Sequence, residues 1–99
     1  MNTLNTCWLT ACIAEISQQR FTPAGIPALD LQLAHESEQI EAGSSRQVKL
    51  SIRAIALGAM AESLQKVAIG KQVKFKGFLA AGKNGKGSVF HITDIDYSD

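Results

Sequence analysis

Two short stretches alternate apolar and cationic residues one by one: Val48-Lys49-Leu50-Ser51-Ile52-Arg53 and Val73-Lys74-Phe75-Lys76. Successive side chains of a β-strand point to opposite faces. Each stretch can therefore bury Val, Leu, Ile or Phe on one side while presenting Lys and Arg on the other. A positive sheet face suits a polyanion. The charge distribution agrees: nine of the ten Lys and Arg lie in residues 46–86, opposed there only by Glu62, whereas residues 1–45 hold five acids and Arg20 alone. The net charge of +1 thus hides a dipolar chain.

With 99 residues the chain forms one domain, residues 1–99, able to bury roughly 60 to 65 % of the surface its unfolded form would expose. No apolar run approaches the ~20 residues that span a bilayer. The N-terminal Met1-Asn2-Thr3-Leu4-Asn5 has no basic residue preceding an apolar core and no small-residue cleavage pattern, so the expected compartment is the cytoplasm. Cys7 and Cys12 lie five apart in one strand-like segment. That puts them on opposite faces and about 16 Å from each other, too far for a disulfide. Neither has a Cys or His at metal-ligand spacing, and His35 and His91 read as surface or sheet-face histidines. No metal and no cofactor is expected.

Residues 6–16 read as a first strand, followed by the polar residues 17–20. A turn comes next at Phe21-Thr22-Pro23-Ala24-Gly25-Ile26-Pro27, with Pro presetting φ and Gly supplying the positive φ of a type II turn. Leu29, Leu31 and Leu33 alternate with Asp30, Gln32 and Ala34. This predicts a second strand with one buried face, paired with the first in a hairpin. Residues 36–47 are acidic, then small and polar, and read as a long mobile loop before a third strand at 46–55. From Gly58 the period changes: Met60, Leu64 and Val67 share a helical face, Glu62 and Lys66 form an i,i+4 pair, and Gly70 ends the segment. A fourth strand is predicted over 71–80, a flexible turn with an Asn84-Gly85 step over 81–87, and a fifth strand over 88–97.

The fold class is therefore all-β. Five strands with one short helix between the third and fourth is the element order of the five-stranded Greek-key barrel called the OB-fold, which binds oligonucleotides on its second and third strands and its loops. Specific residues sharpen this. The segment Phe21-Thr22-Pro23-Ala24-Gly25-Ile26-Pro27 resembles the first hairpin of the bacterial single-stranded DNA-binding proteins. Ala56-Leu57-Gly58, the helix, and the run from Val67 to Leu79 resemble that family's helix and fourth strand. Members of the family end in a long acidic tail, whereas this chain stops at Asp99. Together with Pro23-Ala24-Gly25-Ile26-Pro27, His35-Glu36-Ser37, Glu41-Ala42-Gly43 and Arg46-Gln47, this resembles a short branch of the superfamily that serves replication restart. The resemblance implies a homodimer of OB-folds that binds single-stranded DNA and bridges the restart helicase PriA to the loader protein DnaT.

A single-strand binder needs a cationic groove that follows the phosphates and flat rings on which bases stack. Arg46, Lys49 and Arg53 on the third strand, Lys74 and Lys76 on the fourth, and Lys83 and Lys86 in the next loop form the candidate track, which Arg20 extends. Lys83 and Lys86 rank first, because glycines in their loop let backbone approach phosphate closely. Rings are scarcer: at positions 44 and 49 the resemblance implies aromatic residues, and this chain has Ser44 and Lys49. Two placements are open for Phe78. Strict alternation puts it on the face of Lys74 and Lys76, whereas a bulge at Gly77 turns it into the core, the weightier of the two. Trp8 is assigned to a dimer interface, since so small a barrel leaves strand edges to cover.

A second reading is a protein adaptor, an OB-fold with weak or no nucleic-acid binding. It would use the acidic segment 36–41 and the cationic face as two oppositely charged docking surfaces. The missing rings favour the adaptor; the Gly82-Lys83-Asn84-Gly85-Lys86-Gly87 loop favours DNA. An enzyme is not expected, because the sequence has no paired carboxylates, no nucleophile with a base and no phosphate loop leading into a helix.

Overall fold

The computed structural model describes residues 3–97. Six strands and one helix follow in order: β1 (Cys7–Ile16), β2 (Arg20–Phe21), β3 (Pro27–Glu41), β4 (Ser44–Leu57), α1 (Ala59–Leu64), β5 (Gln72–Ala81) and β6 (Ser88–Asp96). The sheet order is β1-β5-β6-β4-β3-β2, and a further β1–β3 pairing closes the five long strands into a barrel. Every pairing is antiparallel except β4–β6, which is parallel through Ala54↔Phe90 and Ile55↔His91.

The predicted alternation fills the barrel. Leu29, Leu31 and Leu33 of β3 point inward with Ile13, Ala54, Val73, Phe75, Phe90 and Ile92, all buried. The helix buries Ala61 and Leu64 against β3 and β4. Gly58 caps its start at φ 69° and ψ −137°, a backbone state open essentially to glycine, and donates its N–H to the Pro27 carbonyl at 2.8 Å. Gly77 answers a different need. A Cβ there would sit 1.8 Å from the His91 carbonyl oxygen and 2.9 Å from the Phe90 ring, so β5 and β6 close over it only because it has no side chain.

Four expectations change. Residues 36–47 are not a mobile loop: β3 and β4 stay paired from Ala28↔Leu57 to Glu41↔Ser44. The reversal takes two residues, Ala42 at φ 53° and Gly43 at φ 78°, the double positive φ of a type I′ hairpin. Beyond Ala34 the pair leaves the barrel as a two-stranded ribbon, so Val48 and Leu50, expected on a buried face, lie outside the core with Leu50 42 % exposed, while the largely polar residues 36–47 resemble a loop in sequence. His35 ties its base to β1, donating from Nδ1 to the Thr10 carbonyl at 2.6 Å and accepting at Nε2 from the Ser37 hydroxyl at 2.8 Å. Second, the Thr22–Gly25 turn is not type II. Gly25 donates to the Thr22 carbonyl from the last turn position with φ 83°, Ala24 keeps a negative φ, and Arg20–Phe21 adds a short strand on β3. Third, α1 stops at Leu64, so Lys66 lies outside it and the Glu62–Lys66 pair does not form among the described residues. The fourth concerns Phe78.

Candidate nucleic-acid interface

Phe78 stays outside. The register irregularity of the β5–β6 ladder does fall at Gly77, but Lys76 opposes Asp94 while Gly77 opposes Ile92, so the additional residue is Thr93 of β6. Strand β5 therefore keeps its alternation, and Phe78 lies on the outer face, 38 % exposed. There it stacks on His91 of β6, with ring centroids 4.8 Å apart and planes 10° from parallel. The core placement is thus corrected.

Register extends this pair into a row. Asp30 of β3 opposes Ile55 of β4, Ile55 opposes His91, and His91 opposes Phe78, so four strands contribute neighbours on one outer surface. Arg53 stands two residues from Ile55 on the same face. Arg20 reaches in from β2, its Nε donating to Asp30 Oδ2 at 2.8 Å and its Nη2 to Oδ1 at 3.2 Å. Lys83 arrives from the β5–β6 loop. Arg20, Asp30, Arg53, Lys83 and His91 line one cleft of about 170 Å³. Hydrogen bonding to Arg20 holds the Asp30 carboxyl below the usual carboxylate range against a smaller opposing effect of burial, and Arg20, Arg53 and Lys83 lower it further by their charge.

The loop carrying Lys83 and Lys86 is a tight turn. Asn84 and Gly85 have φ 61° and 70°, and Gly82 donates to the Gly87 carbonyl at 3.1 Å, which holds both lysines exposed at its tip. The other predicted cations are dispersed. Lys74 and Lys76 project outward from β5, and Lys76 Nζ sits 5.4 Å above the Trp8 ring of β1. Trp8 itself is 53 % exposed, outside the core. On the ribbon Lys49 faces Glu36 at 3.5 Å and Arg46 bonds Glu41 at 2.7 Å. By alternation Arg46 shares the face of Val48 and Leu50, opposite Lys49 and Arg53, and so leaves the track. The same pairing corrects the adaptor's premise of a separate acidic surface, since Glu36 and Glu41 lie beside cations.

The structure thus brings together Arg20, Arg53 and Lys83, with Lys86 adjacent on the same loop. Sequence reasoning missed Asp30, Ile55 and His91 as members of this surface. Outward positions were legible from alternation, but which outward residues meet was not. Among the described residues no group of three His, Cys, Asp or Glu could hold a metal ion, Cys7 and Cys12 are free, and no helix is long and apolar enough to cross a membrane.

A closed five-stranded barrel with a helix between its third and fourth long strands, and cations gathered where the first hairpin meets the last loop, defines an OB-fold of the single-strand-binding type. A family model described as "Another single-strand binding protein family" matches residues 5–94. The replication restart protein PriB of Bordetella pertussis is 46 % identical over 80 residues, covering 81 % of this chain and 75 % of that one. PriB of Nitrosomonas europaea is 33 % identical over 92 residues, 91 % and 84 % of the two chains. The three-dimensional structure of PriB from Ralstonia solanacearum superposes with a TM-score of 0.88 at 35 % identity, covering 98 % of this chain and all of that one. The chain belongs to the PriB family of single-strand-binding OB-folds.

Proposed function

We propose that this protein binds single-stranded DNA as an accessory of replication restart, holding the phosphates at the outer barrel face. The observation that carries the reading is the convergence of Arg20, Arg53 and Lys83 on one cleft, with Lys86 beside it. Phosphate contacts release counterions, so affinity falls as salt rises, with a log–log slope of about −0.7 per phosphate neutralised on a single strand. Three to four such contacts give a slope of about −2 to −3.

The reading extends to a homodimer with Trp8 at its interface. Residues 7–11 of β1 are hydrogen-bonded along one edge to β5, and β3 pairs with β1 only from Cys12 onward, so the outer edge near Trp8 is open to a second copy. Bridging of PriA and DnaT is the role the family resemblance supports. A second reading, the adaptor with weak or no DNA binding, is favoured by the projecting ribbon, whose exposed Ile40 suits a protein partner better than a phosphate.

Fluorescence anisotropy of a labelled oligothymidine, titrated at several salt concentrations with duplex DNA and single-stranded RNA as competitors, tests the proposal. Salt-steep binding that prefers the single strand and weakens about tenfold in the Lys83→Ala, Lys86→Ala double variant supports it. No binding at low salt would transfer the cationic surface to a protein partner.

A further inference from the structure

The cationic cleft does not end at His91. His91 also lines a larger groove of about 410 Å³, together with Ile55, Leu57, Met60, Phe78 and Thr93. Ile55 and His91 belong to both cavities, so a charged compartment and an apolar one share a wall. We propose that this groove is a subsite for one unpaired nucleobase, stacked against the Phe78–His91 ring pair, with its phosphate on Arg53 and Lys83. The proposal rests on the single-strand-binding reading and adds the base contact to it.

Three features select a base over another occupant. The ring pair is a ready-made stacking platform. The planes lie 10° from parallel, so the two rings stack face to face, and Phe78, 38 % exposed, leaves part of its ring open to solvent where a further ring can add to the stack. A flat heterocycle extends such a stack, whereas an aliphatic side chain gains only area. Next, the His91 ring nitrogens form no hydrogen bond among the described residues, so they remain available to the polar edge of a base. Thr93 adds a hydroxyl oxygen that can accept while its proton goes to the Lys76 carbonyl at 3.3 Å. Finally, the adjoining cations demand an anionic attachment on whatever enters, and a nucleotide carries its anion beside its base. The ring pair also meets a need created elsewhere in the chain, because Ser44 and Lys49 offer no stacking surface on the ribbon.

The test compares an oligothymidine with an abasic deoxyribose-phosphate oligomer of equal length, titrated against the unaltered protein and the Phe78→Leu and His91→Leu variants. Circular dichroism accompanies each variant; Phe78 is half-buried on the outer face, so Leu leaves the core intact. The unaltered protein is expected to bind oligothymidine about tenfold tighter than the abasic oligomer. In Phe78→Leu that preference should collapse to about twofold or less, while abasic affinity stays constant. Photocrosslinking of a 5-iodouracil oligomer should map to Phe78, His91 or their strand neighbours. Full retention of the thymine preference in both variants overturns the subsite, as does equal binding of the two oligomers by the unaltered protein, although the phosphate-binding reading would survive either result. Failure to bind both oligomers would overturn the subsite and the reading together.

Discussion

Arg20 grips Asp30 across the first hairpin through two hydrogen bonds, 2.8 and 3.2 Å long, so a carboxylate stands in the middle of the surface's main cationic cluster. Both side chains remain about half exposed, at 48 and 45 %. Such a solvent-exposed pair contributes little to stability. Its effect on binding is larger, because Asp30 cancels one of the charges an incoming phosphate would meet and repels the phosphate itself.

Replacing Asp30 with Asn should therefore tighten single-strand binding. One additional uncompensated cation steepens the salt slope by about 0.7. At low salt the affinity is expected to rise about threefold to tenfold, read by anisotropy on oligothymidine. A weaker complex would mean that Asp30 matters by holding Arg20 in position and not by neutralising it.

The same pair sets a small acid sensitivity. Arg20 lowers the Asp30 pKa in the folded state, so the folded protein favours the ionised carboxylate more than the unfolded chain does. That stabilisation is fully present above the ordinary carboxylate pKa of about 3.9 and is lost as pH falls through the lowered folded value. Urea midpoints compared for the unaltered protein and Asp30→Asn should show the unaltered protein slightly ahead at pH 7, the two converging near pH 2. A difference that persists at pH 2 would assign the effect to something other than ionisation.

How far this surface was legible in the sequence depends on what each segment buries. Leu29, Leu31, Leu33, Val73 and Phe75 announce their strands because one face enters the core, and all five are buried. The ribbon enters no core: residues 36–47 lack a period-two signal, and Val48-Lys49-Leu50 shows that signal without a core to bury it. Its register is carried instead by Glu36 opposite Lys49 and by a turn whose conformation the sequence Ala42-Gly43 hardly advertises. The row from Asp30 to Phe78 was hidden for a different reason: it exists only through the mutual register of four strands. Phe78 combines both difficulties, since Gly77 marks the irregularity in sequence while the extra residue that absorbs it, Thr93, lies on the partner strand.

Trp8 offers a test of assembly independent of DNA. More than half exposed beside an open strand edge, it holds apolar surface that a second copy would cover. Sedimentation at low micromolar concentration should show Trp8→Ala shifted toward monomer, with a dimer dissociation constant raised about tenfold or more, as for a central aromatic anchor. Because the ring's one described ring contact is the Lys76 ammonium, the monomer should keep its circular dichroism. An unaltered dimer would move the interface elsewhere.

The ribbon's reversal carries a cost that substitution can remove. Ala42 sits at φ 53°, where an L-residue with a Cβ is strained by about 1 kcal/mol, whereas Asn tolerates that region and Asn-Gly is a favoured type I′ pair. Ala42→Asn should therefore stabilise the turn by about 0.5 to 1 kcal/mol. The ribbon projects beyond the barrel and contributes no residue to its buried core, so the gain belongs to local opening. Amide hydrogen exchange across 38–47 should slow about threefold while the barrel amides of β5 and β6 keep their rates. Ala42→Val, β-branched at positive φ, should accelerate the same amides. Equal ribbon exchange in all three proteins would show that the turn does not limit opening and that the charge pairs between β3 and β4 set the ribbon's stability.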